Sequence, residues 1–346
     1  MLVLGIETSC DETAASLCEV DVTDPWRVEA LSSVVASQIE EHSAYGGVVP
    51  EIAARAHVEA IAPAVAQALE VTERTPALVA VTAGPGLAGS LIVGMAAAKA
   101  LAWAWSVPLV AVNHVEAHAY APLLEGTLPA HPFMALVVSG GHTLLAEVRG
   151  PDEMVLIGQT LDDALGEAYD KVAKFLGLPY PGGPVIDKLS KGADAAAIRF
   201  PRAMMGSGDF NFSLSGLKTA VIRHVDKVNS EGGELPPVAD IVASFQAAAL
   251  EPVVRKTVAA AEEWGLTDVV AGGGVACNSE LRERLARACD KAGLRLVLSQ
   301  PGLCTDNGAM VAALGAIRHA AGHRSGLDAD VHPNLRFGSP MPGDRF

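Results

Sequence analysis

The chain opens on an apolar run, Leu2-Val-Leu-Gly-Ile6, and breaks into a polar tip, Glu7-Thr-Ser-Cys-Asp-Glu-Thr13. It turns apolar again through Ala14–Val20. Two short apolar runs around a polar tip predict two strands joined by a turn. The same pattern returns at Phe133-Met-Ala-Leu-Val-Val-Ser-Gly-Gly-His-Thr-Leu-Leu-Ala-Glu-Val148. The two units stand about 130 residues apart, close to the length of one domain, which suggests two related halves.

Between them, Ile52, Ala56, Ile61, Val65 and Leu69 recur at helical spacing, so Pro50–Leu69 predicts a helix. Leu78–Val81 reads as a buried strand and Thr82–Ser90 as a glycine-rich loop entering a long helix. Pro108–Val112 is the next strand. The second half repeats this order with strand Asp268–Ala271, the turn Gly272–Asn278, helix Leu281–Ala292 and strand Leu294–Leu298, then Cys304–Gly308 leading into helix Ala309–Ala320. Alternating strands and helices predict an α/β protein with mostly parallel sheets.

Composition sets the scale. At 346 residues the chain exceeds one ordinary domain. Half of it is apolar and 19% is charged, which suits large cores and argues against disorder. A net charge of −15 opposes a general nucleic-acid coat but leaves room for a local basic face. Such a face is expected at Lys171–Lys227, where nine Lys or Arg meet four Asp, with Phe175, Tyr180, Phe200, Phe210 and Phe212 interleaved. This is either an RNA platform or a solvated face. Cys10, Cys18, Cys277, Cys289 and Cys304 are scattered, as reduced thiols in the cytoplasm would be. Met1–Ile6 lacks the basic start of an export signal. Leu91–Val112, broken by Lys99 and Pro108, reads as a buried helix and strand and not as a membrane span.

The sharpest local chemistry is His114-Val-Glu-Ala-His118. On a helix, residues four apart share a face, so both imidazoles can reach one cation; two capping or surface histidines are the plain alternative. Glu116 is misplaced for the base of a zinc-protease motif. A third ligand is needed, and Asp306, at a strand-to-helix turn, is the candidate; otherwise it is a helix cap. Val138-Ser-Gly-Gly-His-Thr143, Tyr180-Pro-Gly-Gly-Pro184 and Gly272-Gly-Gly274 are turns whose backbone N–H groups can approach an anion. None is a Walker loop or a dinucleotide fingerprint. Asp11 and Glu12 form a carboxylate pair that can handle a proton or simply be a solvated turn.

These motifs, with His42–Glu51, Ala83–Leu87, Phe212–Thr219 and Cys304–Ala309, occur in one order over about residues 2–320. Together they resemble the tRNA adenosine threonylcarbamoyltransferases, formerly labelled O-sialoglycoprotein endopeptidases. The resemblance implies an actin/hexokinase-like α/β fold of two related lobes with the ligand between them. The N-terminal lobe would be residues 1–130, with the helix at about 306–322 packing back on it. The C-terminal lobe would be 131–305, with a basic insertion at about 179–227, and 325–346 a flexible tail.

It also implies the chemistry. A bound threonylcarbamoyl-adenylate is attacked at its carbamoyl carbon by the exocyclic amine of the adenosine 3′ of the anticodon, in tRNAs reading codons that begin with A, and AMP leaves. By motif, His114, His118 and Asp306 would bind one divalent metal per subunit, iron(II) first and zinc second. Val137, Val138, Ser139, Gly140, Gly141, Asp170, Gly183, Asp187 and Asn278 would hold the adenylate. Asp11 and Glu12 are the candidates for proton handling. Asn113 and Cys277 depart from common family residues without removing a ligand. The resemblance implies as partners tRNA, a catalytically silent paralogue and a small P-loop ATPase, and no membrane. The rival readings are a metalloprotease, an ATP-dependent phosphotransferase of the same fold, and a non-catalytic scaffold.

Overall fold

The computed structural model describes residues 1–341 and 343–345. It divides into two compact units: unit 1 is Met1–His131, Val148–Val155 and Ser299–Phe346, and unit 2 is Pro132–Glu147 and Leu156–Leu298.

The first sheet contains β1 (Leu2–Glu7), β2 (Glu12–Val20), β3 (Val28–Ala30), β4 (Val34–Ser37), β5 (Leu78–Gly84) and β6 (Leu109–Asn113). Its central order is β6-β5-β1-β2-β3, with β4 also on β2. β1 runs antiparallel to β2 and parallel to β5, which is parallel to β6. Strands β1, β5 and β6 are buried at every position, as unbroken apolar runs require when both faces are covered. Leu4 and Ile6 face one core with Ile61, Val65 and Met95 of the helices Pro50–Leu69 and Ala88–Trp105. The alternate residue, Gly5, faces the helix Gly308–Ala320. The helix Ala88–Trp105 buries Leu91, Met95 and Ala98 and leaves Ile92 and Trp103 exposed, so it is only half sunk.

The second sheet is built from β7 (Phe133–Val138), β8 (Thr143–Gly150), β9 (Glu153–Gln159), β10 (Asp268–Gly272) and β11 (Arg295–Leu298), in the order β11-β10-β7-β8-β9. β10 is parallel to both β7 and β11. Position for position, this is the order of the central strands in the first sheet. The weak sequence echo at residues 2–20 and 133–148 therefore has a topological counterpart.

The C-terminal segment suggested a loose tail because its prolines and glycines cannot build a helix. Those residues do not prevent extended backbone from pairing along a strand. Ser325, in β12 (Arg324–Ser325), pairs with Leu109, and β12 pairs with β13 (Asp344–Arg345). His332 N–H donates to the Ala83 carbonyl at 2.7 Å, and Ala329 and Met341 are buried.

One of the closest backbone approaches in unit 1 is the crossing of β1 and the helix Gly308–Ala320. A Cβ on Gly5 would lie 2.0 Å from the Gly308 carbonyl oxygen, and one on Gly308 would lie 2.6 Å from the Gly5 oxygen. Only glycine at both positions allows the helix start to rest on β1. Gly5→Ala is therefore expected to lower unfolding free energy by about 1–3 kcal/mol, as overpacking does. Gly183→Ala, where an added Cβ meets nothing within 4 Å, is the control. Urea unfolding of the two variants checks this, and equal midpoints would refute it.

Candidate metal centre

His114 and His118 lie on the short helix His114–Tyr120, which follows β6 directly. Asn113 starts that helix by accepting from the Val115 and Glu116 N–H groups. Asp306 precedes Asn307, whose Oδ1 accepts from Met310 N–H and whose amide donates to the Thr305 carbonyl. A capped helix start thus presents each half of the site.

The ligand atoms of His114, His118 and Asp306 lie within 4.8 Å of one another. His118 Nε2 is 3.1 Å from Asp306 Oδ1 and His114 Nε2 is 3.7 Å from it. Though close, the His118 contact is not aligned as a hydrogen bond. Among the described residues, neither ring nitrogen of this buried histidine has a hydrogen-bond partner. A buried imidazole with both nitrogens unpaired is costly unless something else uses them. Two imidazole nitrogens and one carboxylate suit a transition-metal cation, with remaining positions open to substrate or water. The three residues fit such an ion.

A second carboxylate orients the site. Glu7, at the end of β1 and fully buried, accepts from His114 Nδ1 at 2.9 Å and from the Thr82 hydroxyl at 2.5 Å. Ser9 Oγ lies 3.2 Å from the same nitrogen. With Nδ1–H committed to Glu7, Nε2 faces Asp306, the arrangement that sets tautomer and ring orientation at metal-bound histidines. Burial alone would lower the His114 pKa, but the Glu7 and Asp306 charges outweigh it and raise it to about 9. Burial likewise opposes charge on Glu7, yet His114 and Thr82 hold its pKa below the usual value. Nothing in the sequence pattern singled out Glu7. A glutamate closing an apolar strand, ahead of a polar tip, reads as part of the tip.

Asp11 and Glu12 flank this cluster. Burial, then Asp306 and Asp11, push the Glu12 carboxyl up to about 10, and it hydrogen-bonds Asp11. The tip is held from below by His57, which sits in the buried stripe of the helix Pro50–Leu69. Its Nε2 donates to the Cys10 carbonyl at 3.0 Å, and the Thr13 hydroxyl donates to Nδ1 at 2.7 Å. Burial outweighs the Cys10 carbonyl and the Glu7 and Asp11 charges, so the His57 pKa is lowered and its neutral form is favoured. Sequence reasoning missed it, because a histidine within an apolar stripe carries no signal of its own.

In unit 2 the glycine-rich turns gather around the ends of the second sheet. Ser139 and Gly140 carbonyls accept from the Gly166 and Glu167 N–H groups, seating the turn after Val137 and Val138 on the helix Leu165–Phe175. Asp170 accepts from Gly182 N–H at 2.7 Å, and Asp187 accepts from the Ser279 N–H and hydroxyl. Asn278 caps Leu281 and donates to Gln246. These three side chains therefore shape the turns through protein contacts of their own. Gly140, Gly141 and Gly183 have open space where a Cβ would stand. A cavity of about 520 Å³ is lined in part by Asp187, Lys191, Gln246, Ser279 and Arg284.

The family model for tRNA N6-adenosine threonylcarbamoyltransferase matches residues 29–313. A protein of that name from Geobacter sulfurreducens is 51% identical over 337 residues, covering 96% of each chain. One from an Anaeromyxobacter species is 49% identical over 341 residues, covering 97% of this chain and all of the other. This chain belongs to the tRNA N6-adenosine threonylcarbamoyltransferase family. Solved structures show the fold alone. The activator of 2-hydroxyisocaproyl-CoA dehydratase from Clostridium difficile has a TM-score of 0.54 at 15% identity, over 93% of this chain and 96% of that one. HypF from T. kodakarensis has 0.60 at 14%, over 92% of this chain and 48% of the other. The fold is that of the actin/hexokinase-like ATPases, with two α/β units.

To bind at His114, His118 and Asp306, a cation would have to displace the proton from Nε2 of His114. The free protein keeps that proton up to about pH 9, so affinity is expected to rise as pH rises toward 9 and to fall about tenfold per unit below it. Chelator competition with Zn²⁺ between about pH 6.5 and about pH 8.5 checks the sign. A flat profile would refute the assignment of His114.

Proposed function

We propose that this chain transfers the threonylcarbamoyl group from threonylcarbamoyl-adenylate to the exocyclic amine of the adenosine 3′ of the anticodon, in tRNAs reading codons that begin with A, releasing AMP. The observation that carries this reading is the intact triad His114, His118 and Asp306 in a chain half identical, over nearly its whole length, to transferases of that name. The amine nitrogen bonds to the carbamoyl carbon, the bond from that carbon to the phosphate oxygen breaks, and the electron pair leaves with AMP. The chain needs no Walker lysine and no nucleophile of its own, since the donor is already activated.

His114, His118 and Asp306 would hold one divalent ion, iron(II) before zinc. When bound, it supplies Lewis-acid stabilisation of charge on the donor's oxygens. Glu7 fixes the His114 ring. Backbone N–H groups about Val137, Val138, Ser139, Gly140, Gly141 and Gly183 offer donors to the adenylate, with Asp170, Asp187 and Asn278 shaping their turns. The Glu12 carboxyl is hydrogen-bonded to Asp11, and this pair is the candidate to take the proton that the attacking amine loses.

The metalloprotease reading meets a specific obstacle. Glu116 accepts from Gly338 N–H at 2.9 Å and faces Arg318, so it is committed away from the histidines. We place the protein in the cytoplasm, working with a catalytically silent paralogue and a small P-loop ATPase. Among the described residues its five cysteines form no disulfide, as that compartment allows.

The reading is tested by supplying threonine, bicarbonate, ATP, unmodified tRNA and those partner proteins, then measuring the modified adenosine by mass. Product is expected with the intact chain and is expected to fall at least about a hundredfold with His114→Ala, the scale of losing a ligand or its support. No product from the complete set refutes it.

The basic segment 171–227 is proposed as part of the tRNA surface. Lys171 and Lys218 are both bound to Asp163, and Arg202 to Glu251, so their charges are largely answered. Exposed Arg199 has no ion pair among the described residues and is the better test. Arg199→Glu is expected to weaken tRNA binding at all sequences and to reduce the salt slope by about 1. Filter binding across salt concentrations checks it, and an unchanged slope removes Arg199 from the surface.

A further inference from the structure

We propose that the buried pair Arg318–Glu116 is a positioning clamp that holds the two carriers of the metal ligands in register. The proposal rests on the metal reading of His114, His118 and Asp306. His114 and His118 point from one face of the helix His114–Tyr120, and Glu116, two residues from each, points from the opposite face. Both of its oxygens are used: Oε1 accepts from Gly338 N–H at 2.9 Å, and Oε2 lies 3.5 Å from Arg318 Nη1.

Arg318 stands in the last turn of the helix Gly308–Ala320, whose start carries Asp306 just ahead of its cap. One ion pair therefore joins the carrier of the two imidazoles to the carrier of the carboxylate. The first carrier has only seven residues and cannot hold its orientation by helix strength alone. Arg318 is 4% exposed and Glu116 is 2% exposed, so neither charge can be answered by water if the other is removed. The far side of Arg318 is fixed as well. Its Nη2 lies 3.4 Å from Asp344 and 3.6 Å from Asp152, and His323 bridges those same two carboxylates at 2.9 and 3.0 Å. The turn between β8 and β9 and the C-terminal strand thus back the clamp.

The test measures Zn²⁺ affinity by chelator competition and the visible absorption of the Co²⁺ form, which reports ligand geometry. Glu116→Gln and Arg318→Met are expected to weaken binding about 10–100-fold, the usual effect of losing an outer partner, and to change the Co²⁺ band. Arg318→Lys is expected to recover part of both. Leu285→Ala, in the core of unit 2, should lower thermal stability while leaving affinity and spectrum as in the parent. Parent affinity and spectrum in Glu116→Gln and Arg318→Met overturn the clamp, as does an equal loss in Leu285→Ala. Should Arg318→Met fail to fold, the near-isosteric Glu116→Gln decides alone. His118→Ala separates the two levels. If it binds Zn²⁺ as tightly as the parent, the metal reading fails and takes the clamp with it. If it loses binding while the clamp variants keep it, only the clamp fails.

Discussion

The candidate metal centre depends on one close approach, the crossing of β1 and the helix Gly308–Ala320 at Gly5 and Gly308. Helices packed through ordinary side chains stand 8–10 Å from their neighbours. Here two missing Cβ atoms let backbone rest on backbone. The consequence is local and exact in register: Glu7 lies two residues beyond one glycine, and Asp306 lies two residues before the other. Both carboxylates are thereby brought to opposite nitrogens of His114. Two further close contacts seat the tip. A Cβ on Gly86 would lie 2.5 Å from the Ser9 carbonyl oxygen, and Leu87 N–H donates to that same oxygen. The glycine-rich Ala83–Leu87 loop thus acts as the bed on which Ser9 lies, while the Thr8 hydroxyl donates to the Ser90 carbonyl of the following helix.

Much of this was legible in the residues, and the parts that were not share a cause. Unbroken apolar runs announced β1, β5 and β6 because burial on both faces leaves no room for alternation. The spacing of His114 and His118 announced a shared helix face, and a polar residue at a strand-to-helix turn pointed to Asp306. Contacts between residues far apart in the chain left no trace. Glu7 is 107 residues from His114, and its role appears only when β1 and β6 are placed in one sheet. The basic segment shows the same limit in reverse. Nine cations stand out in the sequence, but whether a lysine is free depends on an acid elsewhere, such as Asp163, 55 residues before Lys218. Adenylate-site candidates such as Asp170 and Asn278 were legible as motif members, whereas their hydrogen bonds to Gly182, Leu281 and Gln246 were not.

The electrostatics of the tip follow from this crowding. Glu7, Asp11, Glu12 and Asp306 converge on a region where burial already penalises charge. Glu7 stays ionised because His114 and Thr82 answer it. Among the described residues no cation answers Glu12, so burial and the Asp306 and Asp11 charges keep it protonated to about pH 10. A cation shared by Asp306, His114 and His118 would cancel the first of those like charges and ease ionisation of Glu12, since bound ions invert the local pKa logic. Ionisation of Glu12 would therefore depend on whether the neighbouring triad holds a cation. Two features that look separate along the chain, a carboxylate pair at residues 11 and 12 and a candidate ligand at 306, act on one another electrostatically because Gly5 and Gly308 bring them together.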